Sequence, residues 1–435
     1  MAGINIVFLT PTYFSFDERE HFIKAYQVAS FDFGIEKEKA IAWPGNIEQF
    51  FSFNGKSTAF DTEQEQKNYI RLYQNDEFNS LEYHHTTAAS YLPTAYIPAA
   101  IGIFLGRLIG LSFISCFYAG RLFNLLFYSF IIFLIIKNIK IGKRIVFVLG
   151  LLPGMLYLAS SYSADPVTFV ASLMTVSLFI NMLFEKENSI GWKYIVTYTI
   201  ASVIMITGKM TYAPLALLLL IVPKNKFKIC NAKENLILKI SCLGIFGATV
   251  LINLLYSSYN GLAQWPVEGG STVGQIKYIL THPILYMSTC IKFVMNSFMT
   301  YIQNPVGNLA YAGSLQQGIV FAGAVYVFII ALLDYREGEF YFCLKDKIAL
   351  LIAVILSWGL TMTALYITFT PVGASDILGV QGRYFAPLLL PFLLIIRNDK
   401  VLNKINESKY FRNIIVVSFG MIVILLNELL RMFSI

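Results

Sequence analysis

The feature that most constrains this chain is a series of apolar runs, each near 20 residues long, that recur from Ile101 to the C-terminus. As an α-helix, such a run is about long enough to cross the roughly 30 Å hydrocarbon core of a bilayer. An outer-membrane barrel would show short alternating strands instead. Only 14% of the residues are charged, where a soluble domain has roughly 25%. The sequence therefore predicts an all-α polytopic membrane protein that contacts a lipid bilayer.

The charge and the cysteines exclude several other classes of site. The formal net charge is +7, but the basic residues lie in short connectors between apolar runs, so no nucleic acid is expected as a partner. The five cysteines are scattered without paired spacing, so the sequence predicts no disulfide framework and no metal site. No cofactor is predicted.

Basic residues in short loops indicate the cytoplasmic side of a membrane protein. The predicted inner loops are Lys137–Arg144, Glu185–Lys193, Lys224–Lys233, Asp334–Lys347 and Arg397–Arg412. The predicted outer turns are Ser160–Asp165, Gly208–Thr211, Tyr259–Gly313 and Pro371–Arg383. Residues 1–435 then form a single integral-membrane domain without internal repeats, with outer loops at 11–90 and 259–314.

Two apolar segments do not fit this alternation as full crossings. If Tyr91–Gly110 spanned the bilayer, the four basic residues of Lys137–Arg144 would lie outside. Its prolines and Arg107 suit an interfacial or re-entrant helix on the outer face better. The same reasoning places His282–Asn304 on that face. About ten full transmembrane helices remain, together with outer-face juxtamembrane helices.

The opening "MAGINIVFLTP" is too short to span and has no basic n-region, so it does not match a cleavable signal peptide. It is expected to be the last part of a first transmembrane helix. Either the natural start lies upstream, or this end is only partly inserted.

A charged stretch, "DEREH" (17–21), follows directly. Phe22, Ala25, Tyr26 and Ala29 recur at helical spacing, so the stretch opens a short amphipathic helix. Asp17 is then either the N-cap of this helix or a carboxylate held at the membrane surface as a general base. Glu18 is the neighbouring alternative for the base, and His21 follows Asp17 by one turn.

A second signal is "GVQGRYF" (379–385) at the mouth of an apolar run. Arg383 is flanked there by glycines, which let another group approach the backbone closely. An arginine at this depth anchors at the interface, pairs with a carboxylate or binds an anion such as a lipid phosphate. Its planar fork can bond two phosphate oxygens at once.

Other charged residues are individually more typical of structural roles, but they share the predicted outer half of the membrane. They are Arg107, Arg121, Asp165, Lys209, His84 and His85.

With these residues in view, the chain resembles the GT-C superfamily of membrane glycosyltransferases. It is most similar to a bacterial group of predicted membrane proteins with a "DE..H" motif in the first outer loop and a late "GVQGRYF.P" motif. The blocks "YLPTAYIPAAIG", "AGRLFN", "SYSADP" and "GKMTYAPLALLLLIVP" match this group in order. The chain departs from the group at its clipped first helix and at Phe16, where the group has proline.

The resemblance implies transfer of a sugar from a polyprenyl-phosphate (undecaprenyl-phosphate) carrier to a cell-surface glycan of the cell-wall polysaccharide, teichoic acid or O-antigen type. It places the active site on the extracytoplasmic side of a multi-pass protein of the bacterial cytoplasmic membrane, with Asp17 or Glu18 as the base. The residues expected to bind donor phosphate or substrate are Arg383, Gln381, Tyr384, Lys209, Arg121, His21, Asp165 and His85. A divalent metal ion is compatible with this chemistry, although no motif indicates one.

Two other functions stay open. A transporter or flippase of lipid-linked glycans would need a site near the bilayer midplane, often with repeats. A glycan polymerase or ligase would use the same side of the membrane and differ mainly in the size of the donor.

Overall fold

The structure is a computed structural model that describes residues 1–12, 14–32, 40–44, 81–85, 87–228, 231–260 and 267–433. The α-helices within these ranges, numbered in chain order, are α1 (Ala2–Leu9), α2 (Glu18–Ala29), α3 (Ile97–Leu108), α4 (Phe113–Asn138), α5 (Lys143–Gly150), α6 (Pro153–Ala159), α7 (Asp165–Leu183), α8 (Trp192–Gly208), α9 (Ala213–Ala216), α10 (Ala232–Tyr259), α11 (Thr272–Thr281), α12 (Pro283–Gly307), α13 (Gln317–Leu332), α14 (Leu344–Phe369), α15 (Leu389–Ile396) and α16 (Glu407–Phe433). Short 3₁₀ segments cover Thr87–Ser90, Pro93–Tyr96, Met210–Tyr212, Leu217–Ile221, Lys224–Lys226, Ala310–Ala312 and Gly382–Leu388.

Five of the described helices, α4, α7, α10, α14 and α16, are long and apolar enough to cross a membrane. The expected number of about ten full spans is not confirmed, because several apolar runs are divided by proline. The run 143–159 forms two short helices with Pro153 starting the second one. The apolar segments Met210–Ile221 and Gly382–Ile396 are also short and contain prolines, which remove a backbone donor and interrupt a helix.

The long helices carry apolar side chains on their outer surfaces. Leu236, Leu251 and Leu255 of α10, Ile355 of α14 and Val416 of α16 are all more than half exposed. Apolar patches of this extent are rare on soluble monomers, and lipid tails would cover them. The structure therefore agrees with a helical polytopic membrane protein.

The five predicted inner loops meet at one end of the bundle. Arg144 lies 3.3 Å from Asp334, and Arg397 lies 2.8 Å from the same carboxylate. Lys140 lies 2.8 Å from Glu185, and the backbone of Asn188 donates to the carbonyl of Asn225 at 2.9 Å. These contacts join the loops as the charge pattern predicted, while the side of the membrane on which they lie stays a prediction.

The opposite end holds α2, α3 and the start of α4. The predicted helix is observed as α2, but its polar residues Glu18, His21 and Lys24 are buried together with its apolar ones. Phe22 packs against Phe113, Phe117 and Tyr162 in a small separate core. Helix α3 has 12 residues, which gives a length of ~18 Å. It is too short to cross a bilayer, and its interfacial or re-entrant position stays a prediction.

Helix α12 differs from the expectation for His282–Asn304. Instead of lying along the surface, this 25-residue helix follows α14 and ends inside the bundle. Its Tyr286 packs against Tyr366 near one end of α14, and Tyr301 packs against Trp358 and Phe385 farther in. Burial of these aromatic side chains draws the helix into the protein, because aromatic side chains dominate the energetics of packed cores.

One two-stranded antiparallel sheet departs from the all-α expectation. Strands β1 (Ala40–Pro44) and β2 (Leu81–His85) pair with Ala40 opposite His85. Both strands belong to the predicted first outer loop, most of which lies outside the described residues.

Candidate functional site

Four charged residues from distant parts of the chain come together where helices begin and end. Asp17 precedes α2, Asp165 is the first residue of α7, Lys209 follows α8, and Arg383 lies in the 3₁₀ segment that leads to α15. We refer to these four residues as the charged cluster. All of them belong to segments that the charge pattern assigned to the outer side.

Arg383 joins the two carboxylates of the charged cluster. Its Nη2 atom lies 3.4 Å from Oδ2 of Asp17, and its Nη1 atom lies 3.2 Å from Oδ2 of Asp165. Lys209 donates to the other oxygen of Asp165 at 3.2 Å. Asp165 is thus held by two cations, whereas Asp17 makes one long contact with Arg383.

The two carboxylates also differ in exposure. The side chain of Asp17 is 45% exposed, whereas that of Asp165 is 12% and that of Arg383 is 7% exposed. Two acids balance two bases, so the cluster carries no formal net charge despite its burial. Asp17 is the member that an incoming molecule can reach.

Aromatic rings and one hydroxyl group hold the cluster in place. The guanidinium of Arg383 lies 4.3 Å from the centre of the Phe16 ring, and the Nζ atom of Lys209 lies 3.4 Å from that of Tyr384. Such cation–π contacts stabilise cations away from water. Tyr311 donates its hydroxyl to Oδ1 of Asp17 at 3.0 Å, which leaves Oδ2 to Arg383.

His21 lies one helical turn beyond Asp17 and is buried. Its Nδ1 atom and the hydroxyl of Tyr96 are 2.8 Å apart, and the ring of Tyr91 packs nearby. The pKa of His21 is lowered to about 4, mainly by burial; the negative charge of Asp17 opposes this shift and the positive charge of Arg383 adds to it. At neutral pH the imidazole is therefore uncharged.

A cavity of about 190 Å³ adjoins Arg383. Its lining residues are Phe16, Gly154, Met155, Leu158, Asn304, Pro305, Asn308, Val380, Gln381, Gly382 and Arg383. Within the described part of the chain, two nitrogens of Arg383 (Nε and Nη1) and Oε1 of Gln381 are buried without a hydrogen-bond partner. Nη1 has only its ionic contact with Asp165. Buried groups of this kind carry a desolvation cost that a bound anion or hydroxyl would relieve.

The structure places Glu18 and Arg121 apart from the cluster. Both side chains are fully buried, and Arg121 bonds Glu18 through Nε at 2.9 Å and through Nη2 at 2.7 Å. The remaining guanidinium donors bind the carbonyls of Val7, Thr10 and Pro11. This pair fastens α1, α2 and α4 together, and neither group is available to a substrate.

The other sequence-predicted site residues are distributed as follows. Gln381 lines the cavity, and Tyr384 lies under Lys209 and accepts a hydrogen bond from Tyr212 at its carbonyl. His85 lies in β2, and its side chain is outside the described part. Asp17 forms no side-chain cap for α2, so the alternative capping role is not observed.

The sequence reasoning missed Tyr311 and two of the amide side chains that line the cavity, those of Asn304 and Asn308. Tyr311 lies in a turn between α12 and α13, and no motif singled it out. Phe16 was noted only as a departure from the related group, but its ring supports Arg383. These roles follow from long-range packing, which local sequence does not display.

Both carboxylates of the charged cluster are in contact with cations of the protein itself. Across the described ranges, no group of three or more His, Cys, Asp or Glu residues could hold a metal ion.

Comparison with known proteins identifies a family and no characterised relative. No curated protein and no solved structure shows significant similarity to this chain. One family model, described as "Predicted membrane protein (DUF2142)", matches residues 1–392 and thereby includes the whole charged cluster. The chain belongs to this family of predicted membrane proteins.

Proposed function

We propose that this protein is a GT-C-like glycosyltransferase that moves a sugar from a polyprenyl-phosphate carrier to a cell-surface glycan. One observation carries the proposal. An exposed carboxylate, Asp17, lies within 3.4 Å of a buried guanidinium, Arg383, beside a cavity. Acceptor activation and leaving-group stabilisation need these two groups at one place.

Asp17 is the proposed general base. In the reaction, the acceptor hydroxyl loses its proton to the Asp17 carboxylate as its oxygen bonds to the anomeric carbon of the donor. The bond from that carbon to the phosphate oxygen breaks, and polyprenyl phosphate leaves. In-line attack inverts the anomeric centre. Tyr311 orients the carboxylate through Oδ1, and general base catalysis of this kind contributes about 10²- to 10⁴-fold in rate.

Arg383 and Lys209 are the proposed partners of the leaving phosphate. Fixed cations in a site shielded from water stabilise developing negative charge more than they would in bulk water. Asp165 touches both cations at 3.2 Å and holds them in position. No separate general acid is needed, because a phosphate ester oxygen is already a good leaving group once its charge is neutralised.

The contacts of Arg383 allow one anion to be exchanged for another. A donor phosphate that binds Arg383 replaces Asp17, whose contact is the longer of the two and whose side chain is the more exposed. Asp17 is then released toward the acceptor. The base becomes free only when donor is present, which limits unproductive reaction with water.

The sequence favours an enzyme over a transporter, because transporters are often built from internal repeats and the sequence shows none. The charged cluster lies at the ends of α7 and α8 that are remote from the basic loops. The proposal places this end on the extracytoplasmic side of a bacterial cytoplasmic membrane. We also propose that the chain crosses the membrane about ten times, with pairs of short helices such as α5 and α6 together forming one crossing.

The direct test is Asp17→Asn in purified protein reconstituted into liposomes. Release of polyprenyl phosphate from radiolabelled polyprenyl-phosphate hexoses is measured with a cell-envelope fraction as acceptor. We expect the rate to fall by at least about 100-fold. The matched control is Glu20→Gln, which removes a charge from the same helix outside the cluster and should retain the rate. Full activity of Asp17→Asn would reject Asp17 as the base.

A further inference from the structure

The cavity beside Arg383 has a lining that is unlike the lipid-facing grooves of the bundle. Its floor is formed by the buried apolar side chains of Met155 and Leu158, while its rim carries the side-chain amides of the partly exposed Asn304, Asn308 and Gln381. Binding sites for small polar molecules combine mostly apolar walls with a few placed hydrogen-bonding groups. A sugar ring has a matching shape, with an apolar C–H face and a rim of hydroxyls.

The rim amides have unused hydrogen-bonding capacity. Asn308 accepts from the backbone of Ala310 through Oδ1, and no partner within the described residues takes its amide donors. With its amide oriented to suit the backbone, Asn304 donates to the carbonyl of Thr300 and accepts from Gly382, at 3.2 Å each. A carboxamide has two donor hydrogens and two acceptor lone pairs, so each asparagine can still serve a ligand hydroxyl.

The size of the cavity limits its occupant. Its volume of about 190 Å³ equals about six water molecules at roughly 30 Å³ each, so a single sugar ring fills it and any further sugar of a longer donor would lie outside it. The far wall is fixed, because a Cβ at Gly154 would lie 2.7 Å from the carbonyl oxygen of Pro305 and 2.9 Å from that of Asn304. Backbone packed this closely cannot open to admit a second ring without moving α6 from α12.

From this geometry we infer that the cavity is the subsite for the one sugar of a polyprenyl-phosphate monosaccharide, with Asn304 and Asn308 as the residues that recognise its hydroxyls. This inference rests on the proposed function and deepens it, because it assigns a donor of one sugar where a polymerase or ligase would require a lipid-linked oligosaccharide. Arg383, at the edge of the cavity, then meets the phosphate that follows the sugar.

The test measures binding and not transfer. Native mass spectrometry of the protein in nanodiscs compares polyprenyl phosphate, polyprenyl-phosphate hexoses and a polyprenyl-diphosphate oligosaccharide. We expect the wild type to bind the best hexose conjugate at least about tenfold more tightly than bare polyprenyl phosphate. Asn304→Ala should bring this ratio close to one and leave binding of the bare lipid unchanged.

Two further variants keep the result interpretable if Asn304→Ala folds poorly. Leu158→Phe fills the apolar floor without removing a polar group, and it should also lower the ratio. The control is Asn296→Ala. Asn296 lies on an exposed face of α12, away from the cavity, so this variant should keep the wild-type ratio.

Three outcomes would overturn the inference. Tighter binding of the oligosaccharide conjugate than of any monosaccharide conjugate would contradict a single-ring subsite. A wild-type ratio that persists in both Asn304→Ala and Leu158→Phe would place the sugar elsewhere while leaving the proposed function intact. Failure of the wild type to bind any of the three lipids would instead contradict the proposed function, and the subsite with it.

Discussion

At the scale of single residues, two adjacent acids have opposite environments. Asp17 has a φ of 54°, in the left-handed region, and α2 begins at Glu18 immediately after it. This backbone turn directs one carboxylate to the charged cluster and the other into the buried pair with Arg121. Asp and Asn are the non-glycine residues most often found in that region, so Asp17→Asn changes the charge without a new backbone strain.

The buried pair gives the first stability prediction. Glu18→Gln would leave the fully buried guanidinium of Arg121 without its anion. Removing one partner of a buried ion pair typically costs about 3 to 5 kcal/mol. We expect a clear drop in the thermal unfolding temperature in detergent, whereas Asp17→Asn should unfold close to the wild type. Equal stability of Glu18→Gln and wild type would show that the pair does not hold α1, α2 and α4 together.

The lowered pKa of His21 predicts that the folded protein becomes less stable as the pH falls. The pKa of about 4 in the folded protein lies below the ordinary value of 6.5, so between these values the unfolded chain binds more protons than the folded one. Stability should therefore fall as the pH decreases from about 6.5 to about 4. The groups that act on the imidazole there are Asp17, Asp165, Glu20 and Arg383.

The measurement is the unfolding temperature across this pH range in wild type, His21→Gln and His282→Gln. His21→Gln should lose much of the decrease, while His282→Gln, at an exposed position before α12, should keep it. An unchanged acid dependence in His21→Gln would assign the effect to other groups.

At the scale of elements, the hairpin of α3 and α4 depends on a close backbone approach. A Cβ at Gly102 would lie 2.4 Å from the carbonyl oxygen of Ala119, and one at Gly106 would lie 3.0 Å from the sulfur of Cys116. Small residues spaced by four let helices pack closely in membranes. This contact holds α3 against α4 and thereby stabilises the small core around Phe22.

Gly102→Ala should therefore destabilise the protein, because the carbonyl of Ala119 belongs to the backbone and cannot move aside cheaply. Gly244→Ala in α10 is the matched control, since nothing lies within 4 Å of its Cβ position, and alanine favours helix over glycine by about 1 kcal/mol. The unfolding temperatures of the two variants are compared by fluorescence-detected thermal unfolding. A stabilising effect of Gly102→Ala would mean that the two helices lie farther apart.

Some helices and contacts could be predicted from the sequence, and others could not. The spacing of Phe22, Ala25 and Tyr26 predicted α2, and the basic loops predicted which connections share an end, because both signals are local or compositional. The resemblance assigned Asp17 and Arg383 to one active site, although 366 positions separate them in the sequence. The turn that brings Tyr311 to Asp17, the division of apolar runs into short helices, and the inward course of α12 arise from tertiary packing, which no local pattern records.

At the scale of the whole molecule, the separation of the charged cluster from the basic loops predicts the orientation. Cys343 is exposed near the basic loops, and Ser314 is exposed in the turn after Tyr311. In a background without Cys230, an impermeant thiol reagent should label Ser314→Cys in intact cells and Cys343 only after permeabilisation. The reverse pattern would place the cluster on the cytoplasmic side and contradict the proposed function.

The central claim is that Arg383 exchanges the Asp17 carboxylate for the donor phosphate. The most direct measurement is a cryo-electron microscopy structure with a non-hydrolysable polyprenyl-phosphate sugar analogue bound. We expect phosphate oxygens within hydrogen-bond distance of Arg383, with one of them lying between the guanidinium and the Asp17 carboxylate, which are now in contact at 3.4 Å. A phosphate bound elsewhere while Asp17 remains on Arg383 would contradict it.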